Sequence, residues 1–162
     1  MSKLLLSLIC VIVTISHAIG QPVFTRQDSL RGSITPERIW WDLTYYHLDI
    51  NVDPSDSTIE GSNTIQYTIL SPGNRLQVDL QEPLMIRRAV QGDKELIVEK
   101  EGNAHFISGM TEASVGTSAT IVVYYGGKPQ VSLNPPWSGG ITWQQDSRGN
   151  PFIASSCQGI GA

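Results

Sequence analysis

Outside the first twenty residues, three side chains carry imidazole or thiol chemistry: His47, His105 and Cys157. A zinc site needs convergent ligands, and neither histidine has a second His or Cys at ligand spacing; His-Glu-x-x-His is absent. No metal ligands are expected in this chain. His47 falls on the polar face of an alternating stretch and His105 between a turn and a strand, so both read as solvated or hydrogen-bonded surface histidines. Ser155-Ser156-Cys157 lacks the Gly-x-Ser-x-Gly pattern of a strained nucleophile elbow. No catalytic residue is expected. A single cysteine supports no internal disulfide framework, and Cys157 reads as a small buried hydrophobe rather than half of a pair. Asp53/Asp56 and Glu99/Glu101 sit in or beside turns, where capping and solubility account for them. Gly126, Gly127, Gly139 and Gly140 do not precede a helix, which disfavours a phosphate-cradling loop.

One segment stands apart. Asn134-Pro135-Pro136-Trp137-Ser138-Gly139-Gly140-Ile141-Thr142-Trp143 is a rigid, aromatic-lined turn. It reads either as a loop whose tryptophans cover a sheet edge or as a surface packed against another domain or a ligand. The residues alone leave both open.

The elements that would position these groups are β-strands. The 162 residues include 15 Gly and 9 Pro, which argues against a helical bundle, and 40% hydrophobic against 16% charged residues suffices for a core. With net charge -4 and no basic run longer than Arg87-Arg88, nucleic-acid binding is not expected. Tyr46, Leu48, Ile50 and Val52 alternate with polar residues, the period of a half-buried strand. Thr58–Leu70 alternates likewise, with Gly61 and Asn63 breaking the apolar face as a bulge would. Further strands are expected at 75–80, 85–90, 95–100, 104–107, 120–125, 141–143 and 152–154. Gln91-Gly92-Asp93-Lys94 gives a hairpin signal. No stretch carries a convincing 3.6-residue stripe. The expected fold class is all-β: a sandwich or an open curved double sheet of eight or more short strands.

The first twenty residues read as an address. Lys3 precedes the apolar run Leu4–Ile15, too short to span a bilayer but suited to a signal-peptide core, with cleavage expected after Gly20. The protein is therefore expected to be exported, periplasmic or extracellular, with no membrane span after cleavage. Residues 21–38 read as an extended leader, and 39–162 as the β domain.

Three stretches resemble the N-terminal domain of the aminopeptidase-N and leukotriene-hydrolase family of zinc metallopeptidases. They are Tyr45–Asp53 followed by Ile59-Glu60-Gly61, then Leu76-Gln77-Val78-Asp79-Leu80, and finally Pro135–Trp143 closing with Ser156–Ala162. The last is similar to the bacterial branch. The resemblance implies a saddle-like double-sheet β domain packed on a zinc-bearing catalytic domain that removes N-terminal residues from peptides. It also implies that Zn²⁺ belongs to the complete parent and that peptide substrate is bound through that absent domain. Within this chain it implies one substrate contact: Gln158, whose amide oxygen would accept from a peptide ammonium. The uncharged ending Gln158–Ala162 reads as that of a partial chain whose exposed patch was made for the missing domain. The alternative is a free-standing sandwich binding a carbohydrate or protein partner, with Trp137 and Trp143 as its stacking platform.

Overall fold

The computed structural model describes residues 23–159. The expected signal segment, 1–20, lies outside them. Among the described residues nine strands form: β1 (Trp41–Asp53), β2 (Thr58–Ile69), β3 (Arg75–Asp79), β4 (Met85–Gln91), β5 (Lys94–Glu101), β6 (Ala104–Ser108), β7 (Ser118–Gly127), β8 (Gly140–Gln145) and β9 (Pro151–Ser156). Every expected strand is present, most of them lengthened by a residue or more, and the fold class is all-β.

The first seven strands make one antiparallel sheet in the order β1-β2-β7-β4-β5-β6-β3, and β8–β9 form a separate hairpin. The larger of two core clusters runs from Ile65, Tyr67 and Ile69 on β2 through Ile121 and Val123 on β7 to Leu76 on β3. Residues from opposite margins of the sheet share that core, so the sheet must curl onto itself. Trp40, just before β1, fastens the curl: its indole N–H donates to the Arg75 carbonyl at the start of β3, 2.8 Å away. Tight turns set the register. β4 and β5 are joined by Gly92-Asp93, with Gly92 at φ 59°, which suits glycine at the first central position of a two-residue hairpin.

In the stretch 21–38, expected to be an extended leader, two short helices form instead, α1 (Arg26–Gly32) and α2 (Pro36–Ile39), the second ending one residue beyond it. Thr25 caps α1: its hydroxyl accepts from the Asp28 N–H, while the Asp28 carboxylate accepts from the Thr25 N–H at 2.9 Å. The helix is too short for a periodic stripe to show, and its only buried residue, Leu30, packs with Ala104 and Phe106 on β6. Buried Gln77 anchors the pair, donating to Leu30 O and Asp79 Oδ1 and accepting from the Thr35 hydroxyl.

The bulge expected at Gly61 and Asn63 lies elsewhere. Pairing of β1 with β2 is continuous from Tyr45 to Asp53, and the register shifts between Leu43 and Tyr45. Gly61 is required for a different reason. A Cβ there would lie 2.4 Å from the Asp49 carbonyl oxygen, so only glycine lets the strands approach. Nor is β1 half-buried: Tyr46, Leu48, Ile50 and Val52 are all exposed, Leu48 at 56%.

Candidate functional site

The expected chemistry-bearing residues do not converge. His47 sits on β1, the margin strand, while His105 is the residue the sequence misplaced most: it is buried, 2% exposed. β6 lies between β5 and β3 under the curl, so its residues are covered on both sides. Burial lowers the imidazole pKa below its ordinary value. The Nδ1 contact to the Asn103 carbonyl, 3.2 Å away, opposes that shift, as do Asp79 and Glu82, while Lys100 adds to it. Cys157, expected to be buried, is a free and exposed thiol, because the hairpin carrying it leaves β9 largely uncovered. Among the described residues no group of three His, Cys, Asp or Glu could hold a metal ion, and no helix is long and apolar enough to cross a membrane.

The proline-tryptophan segment is tightly built. The Ser132 hydroxyl donates to the Ser138 carbonyl at 2.7 Å, and the Asn134 N–H donates to the Ser138 hydroxyl at 2.7 Å. The Ser156 hydroxyl reaches the Pro136 carbonyl at 3.1 Å, tying the turn to the end of β9. Gly140 has φ 126°, and a Cβ there would lie 2.6 Å from the Ser132 nitrogen, so this crossing admits no side chain. The result places Trp137, 75% exposed, beside Gln158 in a shallow depression of about 310 Å³ shared with Gln130 and Leu133. Gln158 is exposed just past β9, its backbone N–H directed at the Ser156 hydroxyl. Trp143 lies in a different depression, with Pro54 and Ser57 of the β1–β2 turn. The two tryptophans therefore do not form one stacking platform.

A feature that sequence reasoning missed lies on the sheet. In register, Leu48 faces Asn63, which faces Val123; Ile50 faces Gly61, which faces Tyr125. These residues continue the core face toward the β1–β2 turn, but nothing covers the β1 side chains there. Asn63 Oδ1 is buried without a partner in the middle of this face. The opposite face is polar: Asp49, Ser62, Tyr124 and Arg88 align across β1, β2, β7 and β4, with the Arg88 guanidinium 4.1 Å above the Tyr124 ring. The sequence signal for the uncovered row was present in the alternation of β1. What it lacked was any sign that the second layer stops short.

No family model matches the chain, and no curated protein matches it. Solved structures do. An M1 zinc metallopeptidase variant from Deinococcus radiodurans bound to a Tyr-Ser-Ala substrate superposes with TM-score 0.55 at 17% identity, over 76% of this chain and 28% of that one. A yeast leukotriene A4 hydrolase in complex with bestatin gives TM-score 0.55 at 17% identity, over 74% of this chain and 19% of that one. Native leukotriene A4 hydrolase from Saccharomyces cerevisiae gives TM-score 0.53 at 18% identity over the same shares. The match covers 28% of the Deinococcus chain and 19% of the yeast chains. The likeness is one of fold.

Proposed function

We propose that this chain is the N-terminal, non-catalytic β domain of an exported zinc-dependent aminopeptidase, where it walls the cleft that admits a peptide's free N-terminus. The observation that carries the reading is the shared fold together with the uncovered row Tyr46, Leu48, Ile50 and Val52. A contiguous apolar face on an otherwise packed sheet is a surface awaiting a partner, and the rest of the parent polypeptide is that partner. The described residues fit no metal, so the parent's zinc is held outside them and no hydrolytic step is assigned to this chain. Its own contribution is Gln158, beside Trp137 at the end of β9, where the amide oxygen accepts from the substrate ammonium. Export rests on Lys3, the apolar run Leu4–Ile15 and the small residues before position 21.

The test is an assay of this purified chain, with Zn²⁺, on an amino-acid anilide, beside the same chain extended through the downstream reading frame. Activity in the extended form alone supports the reading; a downstream sequence without His-Glu-x-x-His ends it. In the active form, Gln158→Ala is expected to raise KM about tenfold with little change in kcat, the cost of one hydrogen bond to a charged group.

A further inference from the structure

The two margins of the seven-stranded sheet are β1 and β3. A margin presents a row of unpaired backbone N–H and C=O groups, which folds blunt by keeping the strand short, charging it or covering it. β3 is treated in this way. It is five residues long and is held against the helices by the Gln77 bond to Leu30 O and by the Arg38–Asp79 ion pair. β1 is not. It runs from Trp41 to Asp53, is exposed at every residue after the first, and contains no Pro, Lys or Arg. Among the described residues its one strand partner is β2, and no backbone group from Asp42 to Val52 bonds to anything else. Past the register shift at Leu43, the stretch Tyr45–Asp53 is regular and about 30 Å long.

This open margin complements itself. Residues opposite each other in an antiparallel pair share a face of the sheet. Two copies related by a two-fold axis through any residue of β1 therefore match apolar with apolar and polar with polar, and the charges select the axis. An axis at Asp49 sets that carboxylate against its own copy, and one at Asn51 sets Asp49 against Asp53. An axis at His47 sets the imidazole against itself. An axis at Ile50 sets His47 against Asp53, whose carboxylate already accepts from the Ser55 N–H at 2.9 Å and the Ser55 hydroxyl at 2.6 Å. At Leu48 the axis sets His47 opposite Asp49 twice and Tyr46 opposite Ile50 twice. His47 and Asp49 are both exposed, and among the described residues neither side chain is engaged in a hydrogen bond or ion pair.

We propose that a second copy of this chain pairs antiparallel with β1, the two-fold axis at Leu48, so that His47 of each copy donates to Asp49 of the other. The two sheets join into one. The pairing lies in the plane of the sheet and leaves the apolar face of Leu48 and Ile50 open to a covering layer, so it stands or falls apart from the cleft-wall reading.

The experiment is sedimentation equilibrium on the purified chain, which should show a concentration-dependent dimer. Asp49→Lys, at an exposed site, should weaken it about tenfold with circular dichroism unchanged, and exchanging the pair (His47→Asp with Asp49→His) should restore it to within about threefold. The register is read by cross-linking under mild oxidation, with Cys10→Ser and Cys157→Ser as background. Leu48→Cys should form a disulfide-linked dimer, because opposite residues lie within reach. Ile50→Cys should not, since its two copies would stand about 14 Å apart. A monomer at every concentration overturns the proposal. So does a dimer indifferent to Asp49→Lys, the result expected of copies joined through the apolar face, and so does cross-linking at position 50 that equals that at 48.

Discussion

The two halves of β2 obey one rule and meet different fates. Ile65, Tyr67 and Ile69 are buried, while Thr58 to Thr64, where Gly61 and Asn63 interrupt the apolar face, are only partly covered, although both halves pair with the same neighbours. The difference is the second layer. At the closed end the curl of the sheet brings Leu76 and Trp40 onto the β2 face; at the open end β2 is only partly covered and the β1 residues beside it are exposed. Periodicity states which face is apolar. Whether that face is covered is a property of the whole assembly.

The sharpest way to break this contrast is truncation on either side of it. Ile121→Ala, at the closed end, removes a fully buried side chain and should cost about 2–5 kcal/mol in urea unfolding. Ile50→Ala, at the open end, should cost under about 1 kcal/mol in this chain, because its side chain already faces water. Equal losses would mean that the two ends are not different. In a parent that covers the open face, the Ile50 loss should grow toward the closed-end value.

Stripping a cover is the next test. Gln77→Leu leaves the Leu30 carbonyl and the Thr35 hydroxyl without their buried partner, an expected loss of about 1–3 kcal/mol. Hydrogen exchange should quicken first across Arg26–Ile39, where the helices lift off β3 and β6, and leave β2 and β7 protected. Uniform quickening would show that the helices are no separate cover.

Acid should probe the same closed region. The folded pKa of His105 is lowered, chiefly by burial. The unfolded chain therefore binds the proton more readily, and stability contributed by the neutral imidazole is full above the ordinary histidine value and declines as pH falls below it. The urea midpoint should drop between pH 7 and pH 5 in the native protein and drop less in His105→Gln. Equal slopes would place the pH dependence elsewhere. The smallest effect belongs to the open end: Asn63→Val deletes the buried Oδ1 that has no partner and should stabilise by about 1 kcal/mol, read as a melting temperature higher by about 3 °C. A lower melting temperature would mean that this oxygen is satisfied in solution.

The same contrast separates what the residues disclosed from what they withheld. All nine strands were legible, because alternation and Gly- or Pro-bearing turns are local signals, as at Gln91–Lys94. Helix α1 was withheld: at seven residues it shows no stripe, and only Thr25 with Asp28 betrays its start. His105 looked superficial because it follows a turn, yet two flanking strands and the curl enclose it. Cys157 looked internal on its residue type, but it lies just past β9, a strand whose residues are mostly exposed. For the candidate site, the sequence supplied Trp137 and Gln158 separately, and it could not show that they share one depression while Trp143 belongs to another.

The clasp between the Trp40 indole and the Arg75 carbonyl has a mechanical meaning. A flat sheet unzips from either margin. Here the first and last strands are hooked to each other at one end, so separation has a single place to begin, at the Asp53–Ser57 loop and the hairpin beside it. A protease working on the native protein should nick that mouth first and leave the hooked end whole, peeling the sheet as one opens an envelope from its unsealed flap.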